Sequence, residues 1–206
     1  MFEISGTKVY GLAESLVAAG LPKDTGIIED FFKKQDDIYH DYNCEIRAEK
    51  LGNVPIGSGH DCFLKGIIVQ MNIRYPQYFS LQFQRYHFHD IISSQSKMHK
   101  ILTFNIDKQC NEYTDIRAIE LLQECIQQYK KAASIEAKNH LFKRILANTP
   151  MGFELTMRVS TNYLQLKTIY SQRVNSDAKR MDEWRIFCNW CESLPYFKQF
   201  VLKGGK

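Results

Sequence analysis

One extended run set among several helical ones limits the fold most. Residues 67–74, IIVQMNIR, are β-branched and partly alternating, which predicts a strand. Around that run, apolar residues recur at helical spacing. Ile116–Lys131 places Ile119, Leu122, Ile126 and Tyr129 on one face, with Thr114 or Asp115 as N-cap. Ala137–Leu146, Tyr163–Gln172 and Asp182–Leu194 read as further helices, the last with Trp184, Phe187, Cys191 and Leu194 along one side. Pro76 suits the first turn of a helix reaching about Tyr86. Met157–Ser160 reads as short and extended, and Leu51–Gly59 as a Gly/Pro/Ser loop. The expected class is α+β with helix in excess. The 206 residues suit a single domain, 1–206, able to bury a core without disulfide or metal staples.

Charge narrows the choice of partners. Lys plus Arg number 27 and Asp plus Glu 23, a net +4. That excess is too small and too dispersed to point to nucleic acid. It suits an anionic small molecule held by a few arginines. No apolar run is long enough for a bilayer, so no membrane partner is expected. The N-terminus carries Glu3 and Lys8 and then an amphipathic stretch, so no secretory leader is read and a cytoplasmic setting is expected. Six scattered cysteines agree with a reducing compartment. Cys188 and Cys191 alone have CxxC spacing. They read as half a metal site, as a redox pair, or as helix packing, and their setting in DEWRIFCNWCESL favours packing.

Three clusters hold residues able to do chemistry. The first runs from Gln82 through Arg85, Tyr86, His87, His89 and Asp90 to Ser96 and Lys97. It reads as a helix end followed by a hydroxyl- and amide-rich turn, able to present donors to a phosphate or a base edge. A solvated helix end is the plain alternative. His87 and His89, with His99, have an HxH spacing, but a helix end does not put such a pair on one face, so no metal is expected. The second is Arg144 on the amphipathic segment HLFKRILAN. The third runs from Arg158 to Arg173. There Ser160, Thr161 and Asn162 are candidate caps, and Asn162 and Arg173 lie eleven residues apart, on roughly one helix face. No GxSxG, P-loop, GxGxxG or HExxH is present, and no cysteine has a histidine partner in sequence. An enzyme built from these parts would take its chemistry from a cofactor.

The order and spacing of these clusters over roughly residues 60–200 resemble the flavin-dependent thymidylate synthases. That family carries Arg-His-Arg, seven residues, then Ser, with a Gln three residues before the first Arg. Gln82, Arg85, Tyr86 and His87 stand in those places, and the serine fits as Ser96 with a one-residue shift. Downstream, Arg144-Ile145, Asn162, Leu166 and Arg173 match, and DEWRIFCNWCESLPYF is similar to the closing helix. The resemblance implies an α+β fold with a small antiparallel sheet and long helices. It implies a methyltransferase that moves a one-carbon unit to C5 of a pyrimidine deoxynucleotide, of the dUMP to dTMP type. FAD would be the cofactor, with NADPH and methylenetetrahydrofolate as co-substrates, in a homotetramer with shared sites. Arg173 would be catalytic. Gln82, Arg85, Ser96, Arg144 and Arg173 would bind the nucleotide, and Tyr86, His87, Asn162 and His60 the flavin.

The chain departs from the pattern at several positions. The middle His is Tyr86, the second Arg is His87, and the Arg beyond the serine is replaced among Lys97, Met98 and His99. The flavin segment, usually His, a small hydroxyl residue, Pro and Glu, reads His60-Asp61-Cys62-Phe63-Leu64-Lys65. Such divergence resembles a bacteriophage member, which would work in its host's cytoplasm. Lost arginines remove bidentate clamps that Lys or His cannot replace. Two alternatives therefore stand beside thymidylate formation: a pyrimidine hydroxymethylase of the same fold, and a nucleotide-binding protein without catalysis.

Overall fold

Four strands form one antiparallel sheet in the order β1-β2-β4-β3. They are β1 (Glu3–Tyr10), β2 (Ile68–Pro76), β3 (His89–Ser94) and β4 (Glu154–Asn162). The computed structural model describes residues 2–23, 25, 42–175 and 181–202. The α+β expectation holds. Strand β2 covers the run read from its β-branched residues, and its alternate side chains Val69, Met71 and Ile73 are fully buried. Strand β4 extends well beyond the short segment expected at 157–160.

Two strands were not expected, and both lie at sheet edges. In β1, Gly6 takes a positive φ of 57° and no clean alternation survives. In β3 only His89 is buried, so its sequence shows no buried face. The segment read as a helix end and turn is thus a strand. Pairing with β4 supplies what the pattern lacks: the Gln95 amide donates to the Thr156 carbonyl at 2.9 Å, and its side-chain oxygen accepts from the Thr156 amide at 2.9 Å.

The chain divides into two compact units, and the division falls within each strand. Unit 1 holds residues 1–3, 72–85 and 91–158; unit 2 holds the rest. In unit 1, α3 (Gln77–Phe83) follows β2 directly, with Pro76 as its N-cap. The helix ends three residues before Tyr86, shorter than expected. Its Phe79 packs on Phe2 and stacks on Phe83. Single turns α4 (Lys97–Lys100) and α5 (Ile106–Gln109) lead to a hairpin of α6 (Ile116–Lys131) and α7 (Ile135–Ala147). Helix α6 has the expected bounds, and Asp115 is the cap, its carboxylate accepting from the Arg117 amide at 2.9 Å.

In unit 2, α1 (Leu12–Ala18) starts at Gly11, whose φ is 69°. A Cβ there would sit 2.5 Å from the Gly66 carbonyl oxygen, so the turn needs glycine twice over. Helix α2 (Tyr42–Gly52) intrudes two residues into the stretch read as loop. Helices α8 (Tyr163–Arg173) and α9 (Asp182–Ser193) fall where expected. The face of α9 is buried as read: Trp184, Phe187, Cys191 and Leu194 are all at most 5% exposed. Among the described residues, no helix is long and apolar enough to cross a membrane.

Candidate functional site

The centre of the candidate site is the far end of α8, in unit 2. Asn162 ends β4 in an extended conformation and caps α8, its side-chain oxygen accepting from the Gln165 amide at 2.9 Å. The helix then runs to Arg173, its last residue. Eleven residues at 100° each bring Arg173 back to the side of Asn162, as the spacing requires.

Arg173 is held by two aromatic side chains of the same unit. Its Nε–H donates to the Tyr86 hydroxyl at 2.7 Å. Its guanidinium carbon lies 4.3 Å from the centre of the Trp184 ring and 5.6 Å from that of Tyr86. The two rings meet edge to face at 6.0 Å and 77°. Trp184 is 1% exposed, so the cation rests on a wall it cannot displace. Arginine over indole is the strongest of the common cation–π pairs, and a desolvated wall strengthens it.

Cys188, one turn after Trp184, feels the same charge. Arg173 pulls its pKa down, but burial dominates and pushes the thiol up to about 11. Burial raises Cys191 well above its ordinary value too. Both stay protonated near neutrality and pack as small apolar groups, as their helical setting suggested.

A second feature of unit 2 was not foreseen. Lys167 lies on the buried side of α8, and its Nζ donates to Asp61 Oδ2 at 2.6 Å, Val54 O at 2.7 Å and Gly52 O at 2.8 Å. The two charged side chains are 6% and 3% exposed. Three acceptors satisfy all three ammonium hydrogens, which is what permits burial of the charge. The loop that carries His60 is thereby pinned to the helix that carries Arg173. Gly52 has no room for a side chain, because a Cβ would lie 2.3 Å from the Phe200 carbonyl oxygen. The signal in the sequence was a lysine between Leu166 and Ile169 on an otherwise buried face, and an aspartate where the resemblance expects a small hydroxyl. Lys167, Tyr170, Ser171 and Val174 line a cavity of about 500 Å³ together with residues 53–56.

The other expected flavin residues of unit 2 are His60 and His87, both exposed. No hydrogen bond among the described residues joins either of them, or Asn162, to Arg173. His89, two residues on, is buried. Burial pushes its imidazole below the ordinary value, more than a backbone hydrogen bond at Tyr86 and the Asp90 carboxylate raise it.

Unit 1 holds the expected nucleotide residues Gln82, Arg85, Ser96 and Arg144. Gln82 is half-buried near the end of α3, and Arg85 is exposed in the turn after it. Ser96 is the N-cap position of α4, with no side-chain cap hydrogen bond. Arg144, exposed on α7, donates from Nη1 to Gln128 Oε1 of α6 at 3.2 Å. No side-chain hydrogen bond joins these four residues to one another. Of the expected site residues, the structure brings Tyr86 and Arg173 into direct contact.

No family model matches the chain, and no curated protein matches its sequence. Its fold, however, is shared. It is similar to a flavin-dependent thymidylate synthase, ThyX, from Helicobacter pylori solved with FAD and dUMP: TM-score 0.68, 12% identity, 98% of both chains covered. A second structure of that enzyme with FAD and dUMP gives 0.65 and 11% over 98% of each chain. It is also similar to a UMP/dUMP methylase, PolB, from Streptomyces cacaoi bound with 5-Br dUMP: TM-score 0.62, 11% identity, covering 99% of this chain and 95% of that one. At such identity the likeness speaks for architecture, and it spans nearly the whole chain: the protein has the fold of the flavin-dependent thymidylate synthases.

Proposed function

We propose that the chain is one functional domain that transfers a one-carbon unit to C5 of a pyrimidine deoxynucleotide, of the dUMP to dTMP type, with FAD. NADPH and methylenetetrahydrofolate serve as co-substrates. The observation that carries this reading is Arg173. It closes α8, and an indole and a phenol fix it before any ligand arrives. A preorganised cation of this kind stabilises charge developing on a pyrimidine carbonyl, because it need not reorient during the reaction.

The donor set fits an anionic dinucleotide. Arg85, His87 and His60 are exposed, and their N–H groups suit phosphate oxygens. His87, Asn162, His60 and Tyr86 would hold the flavin; Gln82, Arg85, Ser96, Arg144 and Arg173 would bind the nucleotide. Bound flavin supplies the redox chemistry and the relay of the carbon unit. The chain's own part is to bind, orient and stabilise charge. Cys188 and Cys191, kept as buried thiols, are not needed as nucleophiles.

The edge strand β3 supports association with further copies. Ile91 and Ile92 on it are 41% and 53% exposed, and an uncovered apolar edge asks for a partner. A homotetramer with shared sites is the assembly proposed. The test is the visible spectrum of the purified protein, with and without dUMP. A flavin spectrum that dUMP perturbs is expected. A colourless protein that takes up no added FAD would overturn the reading.

A further inference from the structure

We propose that Tyr86 is the positioning residue of Arg173: its hydroxyl fixes the guanidinium against Trp184 in the orientation that meets the pyrimidine nucleotide. This rests on the nucleotide reading above and adds the device that makes Arg173 ready for it. An arginine has a long, freely rotating stem, and two constraints are needed to fix its planar head. The indole of Trp184, 4.3 Å away, sets the plane. The hydrogen bond from Nε–H to the Tyr86 oxygen, 2.7 Å long, sets the rotation within that plane.

Both partners are themselves anchored. Trp184 is buried and packs edge to face on Phe187 at 5.8 Å. The chain just after Tyr86 is tied to β4, since Thr161 Oγ1 donates to the Phe88 carbonyl at 2.9 Å. Tyr86 therefore comes to Arg173 from a fixed backbone rather than from a loose loop. The phenol also has chemistry left over. Its oxygen accepts from Arg173, while its own hydrogen has no acceptor among the described residues. The position is one where the resembled family has histidine, so the device belongs to this chain's own sequence.

Four full-length variants test it: Tyr86→Phe, Tyr86→Leu, Arg173→Ala and the double variant Tyr86→Phe with Arg173→Ala. The first readout needs no ligand. Side-chain NMR of the Arg173 Nε–H measures its protection from exchange. Tyr86→Phe is expected to lower that protection about tenfold or more, the scale of one lost hydrogen bond to a charged group. Tyr86→Leu, which removes the ring as well, serves as the second variant with the same expectation.

The second readout is turnover with dUMP. Tyr86→Phe is expected to lower kcat about tenfold with a smaller change in KM. The double variant should be no slower than Arg173→Ala alone, because the hydroxyl acts through the arginine. Unchanged Nε–H protection, or losses that multiply in the double variant, would overturn the proposal. If the unaltered protein neither binds nor turns over dUMP, the functional reading fails by itself. The Nε–H protection then decides the role of Tyr86 independently.

Discussion

Lys167 and Arg173 of unit 2 are held in a way that Arg85 and Arg144 of unit 1 are not. In unit 2, Lys167 is buried against three oxygen acceptors and Arg173 is laid on an indole and tied to a phenol. In unit 1, Arg85 and Arg144 are exposed, and Arg144 donates to Gln128 on the neighbouring helix of the hairpin. A cation fixed in advance can stabilise charge without reorganising; an exposed one contributes mainly when a ligand or a partner subunit desolvates it.

The sharpest way to break this contrast is Lys167→Met. It strands the Asp61 carboxylate in a dry setting and should cost about 3–5 kcal/mol in urea unfolding. Asp61→Leu together with Lys167→Met should recover part of that loss, because it removes the stranded charge while the Gly52 and Val54 carbonyls still lose their donor. If Lys167→Met alone is nearly neutral, the pair is not the pin described here. Next in size is Arg173→Ala. The variant should keep its flavin spectrum and lose turnover by about 10²–10³-fold. Loss of flavin along with activity would show that Arg173 holds the cofactor instead.

The pH response should be smaller and confined to unit 2. His89 is lowered from its ordinary 6.5 by burial. The unfolded chain therefore binds a proton at a pH where the folded chain does not, and stability falls as pH drops below about 6.5 until the folded value is reached. In a pH series of urea melts, His89→Asn should flatten that slope. The smallest effect is expected for Arg85→Ala and Arg144→Ala, which should leave the melting temperature unchanged while weakening nucleotide binding by isothermal titration. A lowered melting temperature would mean that Arg85 and Arg144 serve folding, as Arg74 does on the buried Glu154 carboxylate.

What could be read beforehand followed local periodicity. Helix α6 was legible to the residue because Asp115 caps it and its apolar spacing is clean; α8 was legible from its Asn162 cap, and α9 from its apolar face although no side chain caps it. The edge strands were not. A strand with one neighbour and few buried side chains shows little alternation, so β3 passed for a turn. At the site, counting eleven residues from Asn162 put Arg173 about three turns along α8, at its last residue. Its holder was not readable, since Tyr86 lies 87 residues away in sequence. Lys167 and Asp61, 106 residues apart, were likewise invisible as a pair.

By itself, then, the sequence determined the elements whose stability comes from neighbours three and four residues apart: capped helices, the one strongly β-branched strand, and the side of α8 on which Arg173 falls. The tertiary structure alone decided what touches those elements. Burial of a lysine depends on acceptors from distant loops, and orientation of an arginine depends on a ring brought in by the loop before β3. Such contacts form only when the chain has closed its long loops, and local pattern carries no record of them.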